Sequence, residues 1–267
     1  DKDGLIKLIS NSDMNAACLL VAAGIPTYGD KPELKNVEAA IEKLGVREST
    51  LILAVNFAVR LMLKTKPIVC WDDLLKRLMD NIEIGAIMGE QVEAIGRETG
   101  MLAGFMSYAG LLPFLAHDLV ALKKYQELEK KHGTIGKKIL LELFQCEPYQ
   151  VGALVIQRLG FGVSAACGAM LALGGLKAEH LSFPEEIIRW KAIVAWVEAL
   201  RAGRNYPKEV ELRTMFQALT PEKPGGPKNP VLSNVYIQVA KVKRNGSEWM
   251  WHLPRPDYDR TKEVMGL

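Results

Sequence analysis

Histidine and cysteine are scarce in this chain, with four of each in 267 residues. Cys18, Cys70, Cys146 and Cys167 lie far apart without CxxC spacing, which suggests neither a zinc knuckle nor a disulfide framework. A reducing cytosol is the expected setting. His117, His132, His180 and His252 contain no HxxxH or HExxH pair, so no single helix face offers two imidazoles to one ion. No GxSxG occurs and no cysteine has an adjacent histidine, which removes the usual signals of an activated nucleophile. Also absent is a basic-then-apolar leader: "DKDGLIKLIS" reads as the middle of a longer product. Besides the Pro-interrupted 101–116, the uncharged run "LGFGVSAACGAMLALGGL" at 159–176 is 18 residues and reaches the length at which a membrane span must be weighed. Its glycines at 160, 162, 168, 174 and 175 predict a closely packed buried helix instead.

What the chain does have is helical periodicity. At 49% hydrophobic and 24% charged it has the composition of a globular protein with a sizeable core. Apolar positions recur at three- and four-residue intervals in "STLILAVNFAVRLMLK", "DDLLKRLMDNIEIGAIM" and "FPEEIIRWKAIVAWVEAL", and alternating patterns are missing up to Arg204. Gly45 after "VEAAIEKL" and Pro67 after the 49–64 run read as helix stops, and Ser182-Phe183-Pro184-Glu185 as a capping box with proline in the first turn. Gly85 and Gly89 share a helical face and predict close approach of a neighbouring helix. These signals predict an all-α bundle of about ten helices.

The last sixty or so residues differ. Residues 205–230, with "PEKPGGPKNP" at their end, read as a Pro/Gly-rich linker. In 231–267, "VYIQVAKVKRNGSEWMWHL" alternates about Asn245-Gly246 and predicts a short β-hairpin, so the sequon Asn245-Gly246-Ser247 reads as a turn. From Arg204 onward there are 11 Lys/Arg against 7 Asp/Glu, which leaves 23 against 24 for the rest. The basic balance therefore belongs to the tail. Lys241, Lys243, Arg244, Trp249 and Trp251 suit a nucleic-acid surface, although a hairpin packing its tryptophans on the bundle explains the same residues.

Several segments, in order, resemble the HD-related output domain (HDOD) family of bacterial signal-transduction proteins, itself related to HD-type metal-dependent phosphohydrolases. "LIKLISNSDMNAACLLVAAG" and "NVEAAIEKLGV" resemble its opening helices and its Ala-Ile-x-x-Leu-Gly signature, here Ala40, Ile41, Leu44 and Gly45. "MLAGFMSYAGLL" resembles the approach to the HD position, "ELFQCEPYQVGALVIQRLGF" the segment around Val151, Gly152 and Ala153, and "IRWKAIVAWVEALRAG" the closing helix. The resemblance covers roughly 1–204 and implies an HD-like bundle whose first helix is expected upstream of Asp1. It also implies that the metal-ligand seats are degenerate. If "GLLPF" stands where the family has Gly-Leu-Leu-His-Asp, Pro113 and Phe114 occupy the His and Asp positions, and His117-Asp118 lies one turn later. Pro148, Asp73, Ala172 and Leu173 occupy further positions where the family often has histidine.

Elementary chemistry leads to the same expectation. A hydrolytic metal site needs several His and Asp groups converging on one or two ions. Adjacent residues on a helix point about 100° apart, so His117 and Asp118 would both face one ion only if the helix were distorted there. "GTIGKK" at 133–138 lacks P-loop spacing, and Glu142 and Glu147 read as capping or solvated carboxylates. The expectation is a non-catalytic regulatory domain of a cytoplasmic signalling protein. It would act on other signalling proteins or domains, or on a ligand, with no cofactor, no assigned catalytic residue and no membrane contact. One alternative is a phosphohydrolase acting on a nucleotide or cyclic dinucleotide through a metal site rebuilt from Asp72, Asp73, His117 and Asp118. A second is nucleic-acid binding through the basic tail hairpin.

Overall fold

A computed structural model describes residues 2–10, 12–24, 34–65, 72–111, 113, 119–132, 137–174, 182–221 and 228–247. Among these residues there are thirteen α-helices and no strand, so the expected all-α class holds with more helices than the sequence suggested. In chain order they are α1 (Lys2–Ser10), α2 (Asp13–Ala22), α3 (Leu34–Leu44), α4 (Val46–Thr65), α5 (Asp72–Gln91), α6 (Arg97–Ala109), α7 (Leu119–His132), α8 (Lys137–Phe144), α9 (Pro148–Arg158), α10 (Val163–Gly174), α11 (Glu185–Arg201), α12 (Val210–Thr214) and α13 (Pro230–Asn245). A 3₁₀ turn at Gln217–Leu219 precedes α13. Two compact units are distinguished, 1–75 with 248–267, and 76–247.

In the first unit α1, α2, α3 and α4 pack on one another around Leu5, Ile9, Leu19, Leu20 and Ile41. Here the Ala-Ile-x-x-Leu-Gly segment acquires a physical meaning. Ala40 and Ile41 are fully buried on the inner face of α3, Leu44 packs against the same cluster, and the Gly45 N–H donates to the Ile41 carbonyl at 2.8 Å. Gly45 sits at φ 79°, a left-handed conformation that favours glycine and lets α4 begin at the next residue.

The second unit is organised around α11. Ala192, Ile193, Val194, Trp196 and Val197 are buried around the whole circumference of the helix, which lies against α6, α10 and α12. Ile193, Val194 and Val197 each contribute about 1.5–3 kcal/mol when taken out of water. Trp196 also donates from Nε1 to the Leu212 carbonyl at 2.9 Å, which fastens α12 to the core. Pro184 occupies the cap position of α11 with no side-chain cap hydrogen bond, so the expected Ser182 capping box is replaced by acidic residues in the first turn, Glu185 and Glu186.

Glycine makes the α5–α6 contact. A Cβ on Gly85 would collide with the backbone of Gly100, one on Gly89 with that of Gly96, and one on Gly104 with that of Asn81. Two helices therefore meet backbone to backbone, as the Gly85/Gly89 spacing predicted. Beside this contact Asn81 is fully buried and its amide finds no hydrogen-bond partner among the described residues. A buried unpartnered polar group costs about 1–3 kcal/mol. Asn81→Leu is therefore expected to raise the urea midpoint; a fall would show that the amide has a polar partner in the folded chain.

The tail requires a correction. Residues 231–245 do not form one arm of a hairpin but most of α13, and the Asn245-Gly246 dipeptide ends a helix instead of turning two strands. Leu232, Val235, Val239 and Val242 are buried at helical spacing, whereas Ile237, which alternation would have placed inside with Val235 and Val239, is 58% exposed. The signals were punctuation of another kind. Asn229 caps the start by accepting from the Leu232 N–H at 3.1 Å, Pro230 stands in the first turn, and Gly246 leaves the helix at φ 82°. Lys243 and Arg244 in the last turn offset the negative end of the helix dipole. Trp249 and Trp251 lie outside the described residues.

The described part of the uncharged run, 159–174, resolves into a loop with Gly160 and Gly162 at positive φ and the twelve-residue α10. Among the described residues no helix is long and apolar enough to cross a membrane. Gly168 explains the small-residue bias: any Cβ there would strike Trp190 and the α11 backbone.

Candidate functional site

Two of the segments that the sequence resemblance picked out in the second unit, the approach to the HD position and the Val-Gly-Ala segment, meet. Gly110, just after α6, and Gly152 of the Val-Gly-Ala segment meet where α6 crosses α9, and a Cβ at Gly110 would collide with Pro148 and Gly152 backbone. α10 runs alongside α9 and brings Gly174 under the ring of Tyr149. Where these ends meet is a partly open cavity of about 120 Å³, lined by Met106, Ser107, Gly110, Leu111, Glu147, Pro148, Tyr149 and Leu173. Two of the suspected degenerate ligand seats, Pro148 and Leu173, are thus brought into one wall. Neither carries a metal-donating atom.

Below the cavity lies a polar chain that no sequence motif announced. The Ser107 hydroxyl donates to Glu198 Oε1, and Glu198 Oε2 accepts from Arg201 at 2.8 and 3.2 Å. Burial works against the charge of Arg201, but the charge and hydrogen bonds of Glu198, with Tyr108 and Tyr125 adding, outweigh it and hold the guanidinium above its ordinary pKa. Burial and then the positive charge of Arg201 push Lys243 of α13 below its ordinary value. The Glu198–Arg201 pair has i, i+3 spacing and could have been read from sequence. Ser107 is 91 residues from Glu198, and nothing local in sequence joins them.

Of the fallback metal candidates, His117 and Asp118 lie outside the described residues. Asp72 and Asp73 open α5, but their side chains also lie outside the described residues. Pro113 is exposed, and Phe114 is outside them too. Among the described residues no group of three or more His, Cys, Asp or Glu is placed to hold a metal ion. The donor set at the cavity does not fit the metal centre of an HD-type hydrolase: one carboxylate, Glu147, stands among apolar walls. Glu147 itself precedes α9 at the cap position, where its N–H donates to the Gln150 side chain at 3.4 Å, while Glu142 is exposed on α8.

A second, wider groove of about 660 Å³ runs between the 91–94 loop, the start of α11 and the 215–218 turn. Arg189 there lies over the Phe216 ring at 5.8 Å from its centroid.

Comparison with solved structures decides the fold. The chain aligns with the crystal structure of an HDOD domain protein of unknown function from Geobacter sulfurreducens, with a TM-score of 0.58 over 91% of this chain and 84% of that one. The fold is that of an HDOD domain. Identity between the two is 13%, so the HDOD likeness read from the sequence is met at the level of fold. No family model and no curated protein matches the chain.

Proposed function

We propose that this HDOD-fold chain is a non-catalytic regulatory module of a bacterial cytoplasmic signalling protein that acts by binding a ligand or another protein or domain. The observation that carries this reading is the cavity at the α6–α9–α10 junction, lined by Pro148 and Leu173, two positions where the family resemblance implies histidine is often found. An apolar cavity with a few polar groups at its edge is suited to recognition. Hydrolysis of a phosphate ester at such a site would lack both a Lewis acid and a converging base. Occupancy would act through the glycine contacts: backbones that touch at Gly110–Gly152 and Gly85–Gly100 cannot slide gradually, so filling the junction would favour one helix arrangement over another.

A panel of nucleotides and cyclic dinucleotides incubated with the protein and added manganese tests this. No turnover above the buffer rate is expected. Turnover that disappears in Asp118→Ala would establish the rebuilt phosphohydrolase instead. Nucleic-acid binding is the weaker reading now that the basic residues 241, 243 and 244 stand at the end of a helix and not on a hairpin.

A further inference from the structure

The cavity at the α6–α9–α10 junction has a chemistry of its own, and we infer that it is a binding site for a small amine: a compact apolar body with a cationic nitrogen at one end. This deepens the ligand-binding reading of the same site and rests on it. Size sets the body. A cavity of about 120 Å³ is comparable to an engineered protein cavity of about 150 Å³ that accepts one benzene molecule. The cavity therefore takes a ring or a branched aliphatic group, and is too small to enclose a whole nucleotide. Met106, Leu111, Pro148 and Leu173 supply the apolar walls.

Charge sets the head group. Among the described residues of the lining, Glu147 is the only one with a formal charge. Ser107 has committed its proton to Glu198 and retains only lone pairs to offer. Pro148 has no N–H, and the Gly110 N–H is used by the Tyr108 carbonyl. The cation nearest this polar chain, Arg201, is held by Glu198 through two hydrogen bonds. The formal charge of the described lining is therefore negative, beside a Tyr149 hydroxyl that can donate or accept, and this favours an ammonium over a carboxylate or phosphate. The N-terminal end of α9, which would otherwise attract an anion, already has Glu147 at its cap.

The probes are benzylamine, benzyl alcohol and benzoate, which share a ring and differ in head group. Binding is read from the methyl resonance of Met106 in protein carrying ¹³C-methyl methionine, assigned by its loss in Met106→Leu. Benzylamine is expected to shift the Met106 signal saturably. Benzyl alcohol should bind about fivefold more weakly, the order of effect of one close unit-charge pair in a water-like dielectric, and benzoate more weakly still. In Glu147→Gln, with thermal melting confirming an unchanged fold, benzylamine should fall to the level of benzyl alcohol. A Met106 signal unmoved by benzylamine would overturn the proposal, as would benzoate binding as well as benzylamine, or an amine preference that survives Glu147→Gln. None of those results would bear on whether the module is catalytic, which the nucleotide panel decides separately.

Discussion

Gly100→Ala is expected to destabilise the protein by about 3 kcal/mol or more, enough to consume a large part of the stability of an ordinary domain. The sign is what makes the test informative. In the interior of a helix, Gly→Ala ordinarily stabilises by about 0.5–1 kcal/mol, because alanine loses less backbone freedom on folding. At Gly100 the new methyl would be driven into the carbonyl group of Gly85 and the backbone nitrogen of Gly89. Backbone cannot move aside as a flexible side chain can, so α5 and α6 would have to separate and surrender their contact. Gly4, exposed on α1, is the control: Gly4→Ala should be neutral or mildly stabilising. Urea unfolding of the two variants measures the difference. An unchanged or raised midpoint for Gly100→Ala would mean that the helices do not meet through glycine.

Trp196→Ala should cost about 3–5 kcal/mol, the usual range for removing a buried aromatic from a packed core. Among the described residues Trp196 is the largest of the fully buried side chains, and its loss leaves the Leu212 carbonyl without its indole donor. Trp196→Phe retains much of the volume and loses the hydrogen bond, so about half that cost is expected, with cleavage by protease between Pro207 and Leu219 appearing before global unfolding. Equal stability of Trp196→Phe and the parent would show that the indole hydrogen bond does not fasten α12.

The sequence made the helices legible where one face was apolar. α3, with Val37, Ala40, Ile41 and Leu44 on one stripe, is an example, and its stop at Gly45 could be read directly. Close helix contact was legible as well, because Gly85 and Gly89 at i, i+4 have few other uses in a helix. The tail was misread because "VYIQVAKVK" satisfies two periods at once: 235, 237 and 239 alternate, while 232, 235, 239 and 242 follow a helical stripe. Burial chose the second, with Asn229, Pro230 and Gly246 acting as helix punctuation. A cavity wall is harder still to read. Pro148 and Leu173 could be named only as departures from a family pattern, and Ser107 and Glu198 not at all, because they meet only when α6 lies against α11.

The family resemblance and the geometry meet in one statement: Pro148 and Leu173, which the resemblance places at frequent histidine positions, line a small, mainly apolar cavity, and we propose that no metal is held there. A glycine-locked helix junction is well suited to reporting what fills that cavity, since its packing has few intermediate arrangements. Elemental analysis of the full chain, purified without chelators or metal-affinity steps, tests the statement most directly. The account predicts no stoichiometric manganese, iron, nickel or zinc. Stoichiometric metal that is lost in Asp118→Ala or in Asp73→Ala would contradict it and place a rebuilt metal centre on those carboxylates.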